Sequence, residues 1–229
     1  AGIINFMSGK VDVNYATAET NTIAIDVSGN GNAYGIYNEA GINGYISTFN
    51  IGGDATTNVD IRVDSSREEA TIPSVRINFD TKEPEIYGYE RGFAAGISTT
   101  AGGDVGGDEG HTTVKGKNIN MTVTAKGLEA AGMIANNSAL NKVIGESVTF
   151  NVASETGKAH GMMVENLHGG YAPIQQNVII AQDVHFTVES GSSNAYGMSI
   201  MDAQGQPGSS NTITSVDPGT AGNASLNLT

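Results

Sequence analysis

The sequence predicts an all-β fold: a right-handed parallel β-solenoid (β-helix) with three strands per rung and one inserted β-hairpin arm, a single domain over residues 1–229. Three observations predict it. A five-residue segment that alternates apolar and polar side chains recurs along the chain. An Ala-x-Gly-Ile/Met element follows it at a nearly fixed distance. Glycine, at 31 residues, is plentiful beside Asn, Thr, Ser and Val, a mixture that suits short strands and many turns.

The alternating segment reads Ile23-Ala24-Ile25-Asp26-Val27, Val59-Asp60-Ile61-Arg62-Val63, Ile119-Asn120-Met121-Thr122-Val123, Val148-Thr149-Phe150-Asn151-Val152 and Val184-His185-Phe186-Thr187-Val188, with a partial copy at Ala224–Leu228. Positions one, three and five are apolar, and two and four mostly polar. Such period-two alternation is a strand with one buried and one wet face. Thr22, Asn58, Asn118, Ser147, Asp183 or Asn223 stands just before each copy, where a short polar side chain can bond a neighbouring backbone group at a corner.

The second element comprises Ala33–Ile36, Ala94–Ile97, Ala130–Met133, Ala159–Met162 and Ala195–Met198. Strict alternation would put Ala and Ile/Met on opposite faces. A bend at the glycine instead points both inward, leaving the variable residue (Tyr34, Ala95, Ala131, His160, Tyr196) exposed; the permissive glycine backbone suits such a bend. A third strand is read at residues 45–53, 111–116, 141–145, 176–182 and 211–216. Copies start 36, 60, 29, 36 and 40 residues apart. A unit of three short strands cannot bury its own apolar face, so stacking unit on unit is expected, with parallel ladders ~4.8 Å apart and a rod of roughly 25 Å. Right-handed crossovers are the rule for parallel strands. A β-propeller blade would need four antiparallel strands.

Two irregularities break the repeat. Residues 1–4 enter the second element late and the last residues open a fresh rung, so the solenoid is expected to continue beyond residue 229. And the gap from alternating strand to Ala-x-Gly, 6 or 7 residues in four copies, is 31 between Val63 and Ala94. The insert reads as a hairpin, "SVRINF" then "DTKEPE" then "IYGYERG". Residues 64–91 hold 11 of the 35 charged residues. An arm that interrupts a regular rod is the expected contact surface. Its candidate binding residues are Arg67, Glu68, Glu69, Arg76, Lys82, Glu83, Glu85, Tyr87, Tyr89 and Arg91. The tyrosines are amphipathic anchors, and the cations suit sulfate, sialate or acidic protein groups.

A net charge of −13 argues against nucleic acid and against an anionic membrane surface. With no cysteine there are no disulfides or thiolate metal sites. No apolar run approaches a membrane span. The first ten residues lack a basic n-region and a long apolar h-region, so any signal peptide is expected to have been removed already.

Nearly the whole chain outside the arm resembles the passenger domains of autotransporters, type V secreted proteins of Gram-negative bacteria. The resemblance is carried by the stacked alternating strands, the recurring "NAYGI", "AAGM", "AHGMM" and "NAYGM" elements, Asn/Gly-rich corners, acidic balance and lack of cysteine. It implies a right-handed β-helix displayed on or secreted from the bacterial surface after export through the outer membrane. Most such passengers are adhesins, anchored through a C-terminal membrane barrel that these residues do not contain. Its partner would be a host protein or glycan, or a neighbouring cell through self-association. The Gly-Asp-Ser-Gly nucleophile motif of the family's protease branch is absent here, so no protease function is carried over.

The alternative is a carbohydrate-active β-helix, such as a polysaccharide lyase, hydrolase or tailspike-like protein. That chemistry needs two facing carboxylates ~5–9.5 Å apart, or several oxygen ligands on calcium. The outward positions supply Asp26 and Asp60, and Asp26 beside Arg62 reads as a cross-strand ion pair. "GGDVGGDEGH" at 102–111 is one degenerate copy of a calcium-binding repeat and reads as an acidic loop. His111, His160, His168 and His185 have no ligand spacing, and Met121, Met133, Met162 and Met198 fall on core columns. No catalytic residue, cofactor or metal site is expected.

Overall fold

The computed structural model describes residues 1–6, 10–15, 21–40, 46–53, 57–78, 81–101, 109–165, 175–201, 209–214 and 225–228. The chain opens with β1 (Ile3–Phe6) and β2 (Lys10–Tyr15). A first full rung follows: β3 (Thr22–Gly29), β4 (Ala33–Ala40) and β5 (Ile46–Gly53). The second holds β6 (Asn58–Ser65), the inserted pair β7 (Thr71–Ile77) and β8 (Pro84–Arg91), then β9 (Phe93–Ala101) and β10 (Glu109–Lys115). Next come β11 (Asn118–Ala125), β12 (Glu129–Asn136) and β13 (Ala139–Ile144), then β14 (Ser147–Ser154), β15 (Ala159–Glu165) and β16 (Gln175–Ile180). The last rungs are β17 (Asp183–Ser190), β18 (Ala195–Met201) and β19 (Ser209–Thr214), with β20 (Ser225–Leu228) opening another.

Equivalent strands pair in parallel into three six-stranded sheets. The alternating sheet runs β3-β6-β11-β14-β17-β20, the glycine sheet β1-β4-β9-β12-β15-β18, and the third sheet β2-β5-β10-β13-β16-β19. This is the parallel β-solenoid of three strands per rung that the repeat demands, with its hairpin inserted between β6 and β9. Val148, Phe150 and Val152 lie in register between Ile119, Met121 and Val123 on one rung and Val184, Phe186 and Val188 on the next. All nine are buried. The Phe150 and Phe186 rings stack at 4.9 Å with 8° between their planes. The same register sets Asp26 opposite Arg62 on adjacent rungs.

The bend at the glycine column is present. Ala130, Ala131 and Met133 pair with Ala159, His160 and Met162, and the glycines between them drop out of the ladder. Ala33, Ile36, Ala130, Met133, Ala159 and Met162 all join the central core, whereas Ala95 and Ala131 join a separate apolar cluster. The cause is steric room, since none of these glycines takes a positive φ. A Cβ on Gly161 would lie 2.5 Å from Phe186 Cδ1 and on top of the Gly197 carbonyl. A Cβ on Gly132 would strike the Phe150 ring and sit 2.5 Å from the Gly161 carbonyl oxygen. Each glycine vacates the volume that the next rung's central apolar side chain fills.

Polar side chains stitch the corners. Ser65, Ser154 and Ser190 each donate to a carbonyl of the preceding rung, at Gly31, Leu128 and Gly157, all at 2.8 Å. On the third sheet a buried asparagine ladder runs from Asn141 through Asn177 to Asn211. Asn141 Nδ2 donates to Asn177 Oδ1 at 2.8 Å and Asn177 Nδ2 to Asn211 Oδ1 at 2.9 Å. The three amides also donate to the carbonyls of Ile134, Met163 and Ser199 on the glycine sheet. These amides are tolerated inside because every Nδ2 donates, although Asn141 Oδ1 at the head of the ladder accepts no hydrogen bond.

Phe150→Asp places an unpaired charge between two buried rungs and should cost several kcal/mol, read as a collapse of the melting temperature in circular dichroism. Gly161→Ala should lose ~1–3 kcal/mol, because a backbone carbonyl and a stacked ring must both yield. Gly31→Ala, where an added Cβ meets nothing within 4 Å, should leave the melting temperature almost unchanged.

Candidate functional site

The arm is an antiparallel ribbon of β7 and β8. Its turn is closed by Asn78, whose N–H donates to the Glu83 carbonyl at 2.9 Å and whose carbonyl accepts the Lys82 N–H at 2.8 Å. Lys82 takes a left-handed φ of 63°. Asn78 Nδ2 also donates to Glu85 Oε2 at 2.8 Å. The register shifts between Ser74 and Val75, where Tyr87 forms a bulge on the opposite strand. Val75 pairs with Ile86, and Pro73, two residues before it, pairs with Tyr89, so Val75, Ile77, Ile86 and Tyr89 share one face, with the bulged Tyr87 beside them. Val75, Ile77, Ile86, Tyr87 and Tyr89 are 53–67% exposed. A two-stranded ribbon with its apolar face in water is marginal by itself.

The foot of the arm is part of the rod. Arg67 Nε donates to the Thr71 carbonyl at 2.8 Å, and its guanidinium lies 3.4 Å from Glu69. Gly127 N donates to the Arg67 carbonyl at 2.7 Å, and a Cβ on Gly127 would collide with the Glu68 carbonyl. Ile72 packs against the central core. Lys126 approaches Glu68 at 3.7 Å across the same corner.

Arg91, the last residue of β8, turns its guanidinium back onto the rod and keeps only partial exposure. Its Nη1 donates to Glu165 Oε1 at 2.5 Å, its Nη2 donates to Glu129 Oε2 at 2.8 Å, and its guanidinium lies 4.8 Å over the Phe93 ring. Glu129 belongs to the next rung and Glu165 to the one after, so this side chain ties the arm to two further rungs. His160 completes the group: Nδ1 lies 2.8 Å from Ser199 Oγ, Nε2 faces Glu129 Oε2 at 3.5 Å, and the ring stacks on Tyr196 at 5.2 Å. Burial pushes the Glu165 carboxyl above the usual range, the like charge of Glu129 adds to this, and Arg91 offsets only part. Burial acts the same way on Glu129, but His160 and Arg91 together more than offset it and hold that carboxyl below the usual range. The two carboxylates outweigh burial at Arg91 and hold its guanidinium charged.

This cluster corrects the expectation of an exposed variable column. His160, Ala95 and Ala131 are fully buried, Tyr34 is half-buried, and only Tyr196 near the end of the described rod is exposed. The outer face of the glycine sheet carries a second apolar layer of Phe93, Ala95, Ala131, Ile134 and Met163, flanked by Tyr34 and Met201. Burial raises the Tyr34 phenol to about 12. Tyr37, its ring 5.0 Å from that of Tyr34, donates to Glu39 at 2.6 Å, and burial together with that carboxylate pushes its phenol up further. Small apolar residues at 95 and 131, and apolar residues at 134 and 163, were the signal in the sequence that this face is covered.

The structure thus divides the ten candidate residues. Arg67 and Arg91 are scaffold, and Glu68 and Glu69 sit at the foot. Lys82 and Glu83 line the exposed turn, with Glu85 half-buried beside it, and Tyr87 and Tyr89 are exposed. The side chain of Arg76 lies outside the described residues, as do residues 102–108 and His168. Glu109 and His111 pair at 2.9 Å. Among the described residues, no group of three or more His, Asp or Glu side chains could hold a metal ion. Glu129 and Glu165, the two carboxylates brought together, share one guanidinium instead of facing each other across an open groove. A shallow depression on the alternating sheet is lined by Asp64, Thr124, Lys126, Glu155 and Glu189, with charges of both signs. Comparisons with known protein families, with curated proteins and with solved structures found no match.

Arg91→Met should make stability strongly pH-dependent. Without the guanidinium the Glu165 carboxyl titrates further above its unfolded value of about 4.3, and Glu129 loses one of the two groups that hold it down. A raised folded value costs nothing below the unfolded one, and the loss grows as pH rises from the unfolded value to the folded one, above which it is constant. The variant should lose ~2 kcal/mol near neutral pH, discounted for the partial exposure of Arg91, and recover most of it near pH 4. Equal losses at both pH values, read by thermal melts, would show that Arg91 acts through packing alone.

Proposed function

We propose that the chain is an adhesin-like β-helix passenger, displayed on or secreted from a bacterial surface, that binds a host or neighbouring-cell ligand through its arm. One observation carries the reading. Among the described residues, a rod built of near-identical rungs is interrupted at one corner by a ribbon that puts five large apolar side chains into water. Exposed apolar patches on otherwise regular proteins mark interaction sites. The foot of the arm is fixed by Arg67, Ile72 and Arg91, which lowers the ordering cost of a contact. The acidic balance and the absence of cysteine fit a chain exported unfolded to the cell exterior.

The test keeps the foot and removes the tip. Replacing residues 75–87 by Asn-Gly joins the Ser74–Gly88 pair through a two-residue turn of the kind that closes hairpins. The shortened protein should melt within a few degrees of the parent and lose binding to cells in a pull-down with the purified, labelled protein. Full binding with the tip removed would move the contact to the rod and end this reading.

A further inference from the structure

We infer that the partner of the arm is a protein surface with an apolar centre and a basic rim, which docks on the apolar face of the ribbon. This rests on the adhesive reading above and names the ligand class. It also departs from the expectation drawn from the sequence, in which the arm's cations meet an acidic ligand.

The first argument is where the charges went. Arg67 is turned into the foot and only 19% exposed, and Arg91 is held between Glu129 and Glu165. Neither can meet sulfate, sialate or a carboxylate without breaking the scaffold. Between residues 67 and 90 the sequence has three bases against six acids. Among the described side chains of β7, the turn and β8, Glu83 and Glu90 are exposed and Glu85 half-buried, with Lys82 exposed at the turn. The register sets Glu90 opposite Ile72 and Glu85 opposite Arg76, on the face behind Val75 and Ile86, and Glu83 stands at the turn, so carboxylates surround the apolar face without occupying it. The chain as a whole carries −13. An approaching surface therefore meets a negative field and then an apolar patch, which selects a basic rim around an apolar centre.

The second argument concerns which part of the ribbon is open. A two-stranded sheet has two bare edges, and an added strand would be the simplest occupant. Pro73 lies within β7 and Pro84 opens β8, and neither has an N–H to donate to an added strand. The bulge at Tyr87 further disturbs the hydrogen-bonding row of β8. With the edges obstructed, the face bearing Val75, Ile77, Ile86 and Tyr89, with the bulged Tyr87 beside it, is what remains for contact. The same edge devices and the like charge of two copies work against a second copy of this chain as occupant.

The test is surface plasmon resonance on the whole chain with three immobilised probes. Two are cyclic β-hairpin peptides with an identical apolar face of Val and Leu, rimmed with Lys in one and Glu in the other; the third is a heparin oligosaccharide. The Lys-rimmed peptide should bind at least tenfold more tightly than the Glu-rimmed one or heparin, and its affinity should fall as salt rises from about 0.05 to about 0.5 M. Ile77→Ser with Ile86→Ser, both on exposed positions, should abolish that binding without moving the melting temperature. Glu83→Gln with Glu90→Gln should weaken it severalfold, mainly through a slower association rate. Equal or tighter binding to the Glu-rimmed peptide or to heparin overturns the proposal, as does no binding to the Lys-rimmed peptide. So does concentration-dependent dimerisation that the Ile77/Ile86 pair removes, which would make a second copy the occupant. The cell assay separates the two levels of failure. If heparin, and not the Lys-rimmed peptide, competes for arm-dependent cell binding, the ligand class is wrong and the adhesive reading stands.

Discussion

Everything regular in this molecule depends on one contact between successive rungs: a missing side chain in the glycine sheet against a large one in the alternating sheet. Gly2 meets Ile25, Gly35 meets Ile61, Gly96 meets Met121, Gly132 meets Phe150 and Gly161 meets Phe186, always on the next rung. The same five positions face the carbonyl of the next glycine, so the two backbones approach closely enough to leave no space for a methyl group. The contact therefore sets both the spacing and the lateral register of the stack. It also accounts for the bend in the glycine strands, since the chain must keep Ala and Ile/Met inside while the residue between them makes way.

Because the contact links neighbouring rungs, it does not depend on how far apart in sequence its partners lie. Gly35 finds Ile61 and Gly96 finds Met121 on either side of the insert. The arm leaves the chain at the corner between β6 and β9, where no ladder pairing has to be broken. A solenoid is a sum of local rungs and nearest-neighbour interfaces, which makes a corner insertion inexpensive. The same modularity lets the corners use backbone and serine hydroxyls instead of apolar packing, with Ser65, Ser154 and Ser190 repeating one bond along the rod.

The arm would be a weak element were it attached by its two ends alone. Arg91 gives it a third attachment, spanning two further rungs through Glu129 and Glu165. A guanidinium suits that position because it can bond two carboxylates in different directions while lying flat over Phe93. The consequence for function is a division of labour along one hairpin. Its foot is consumed by the scaffold, and its tip is left apolar and acidic.

The sequence by itself determined the sheet composition of this protein, the three strands of each rung, the register of the alternating positions and the place of the arm. Those properties follow from local periodicity: period-two alternation decides which side chains turn inward, and the constant gap to Ala-x-Gly decides which strands stack. It also placed Tyr87 and Tyr89 on an exposed ribbon. What only the tertiary structure decided is which charged and aromatic residues are available to a partner. Arg91 and His160 read as surface residues because each stands at an outward position of its strand. Both face one sheet that carries a second apolar layer, assembled from Phe93, Ile134 and Met163 on three different rungs. The asparagine ladder of Asn141, Asn177 and Asn211 was hidden for the same reason, since an asparagine is favourable inside only when the next rung supplies its partner. Burial and pairing of a polar group depend on atoms distant in sequence, and no local pattern encodes them.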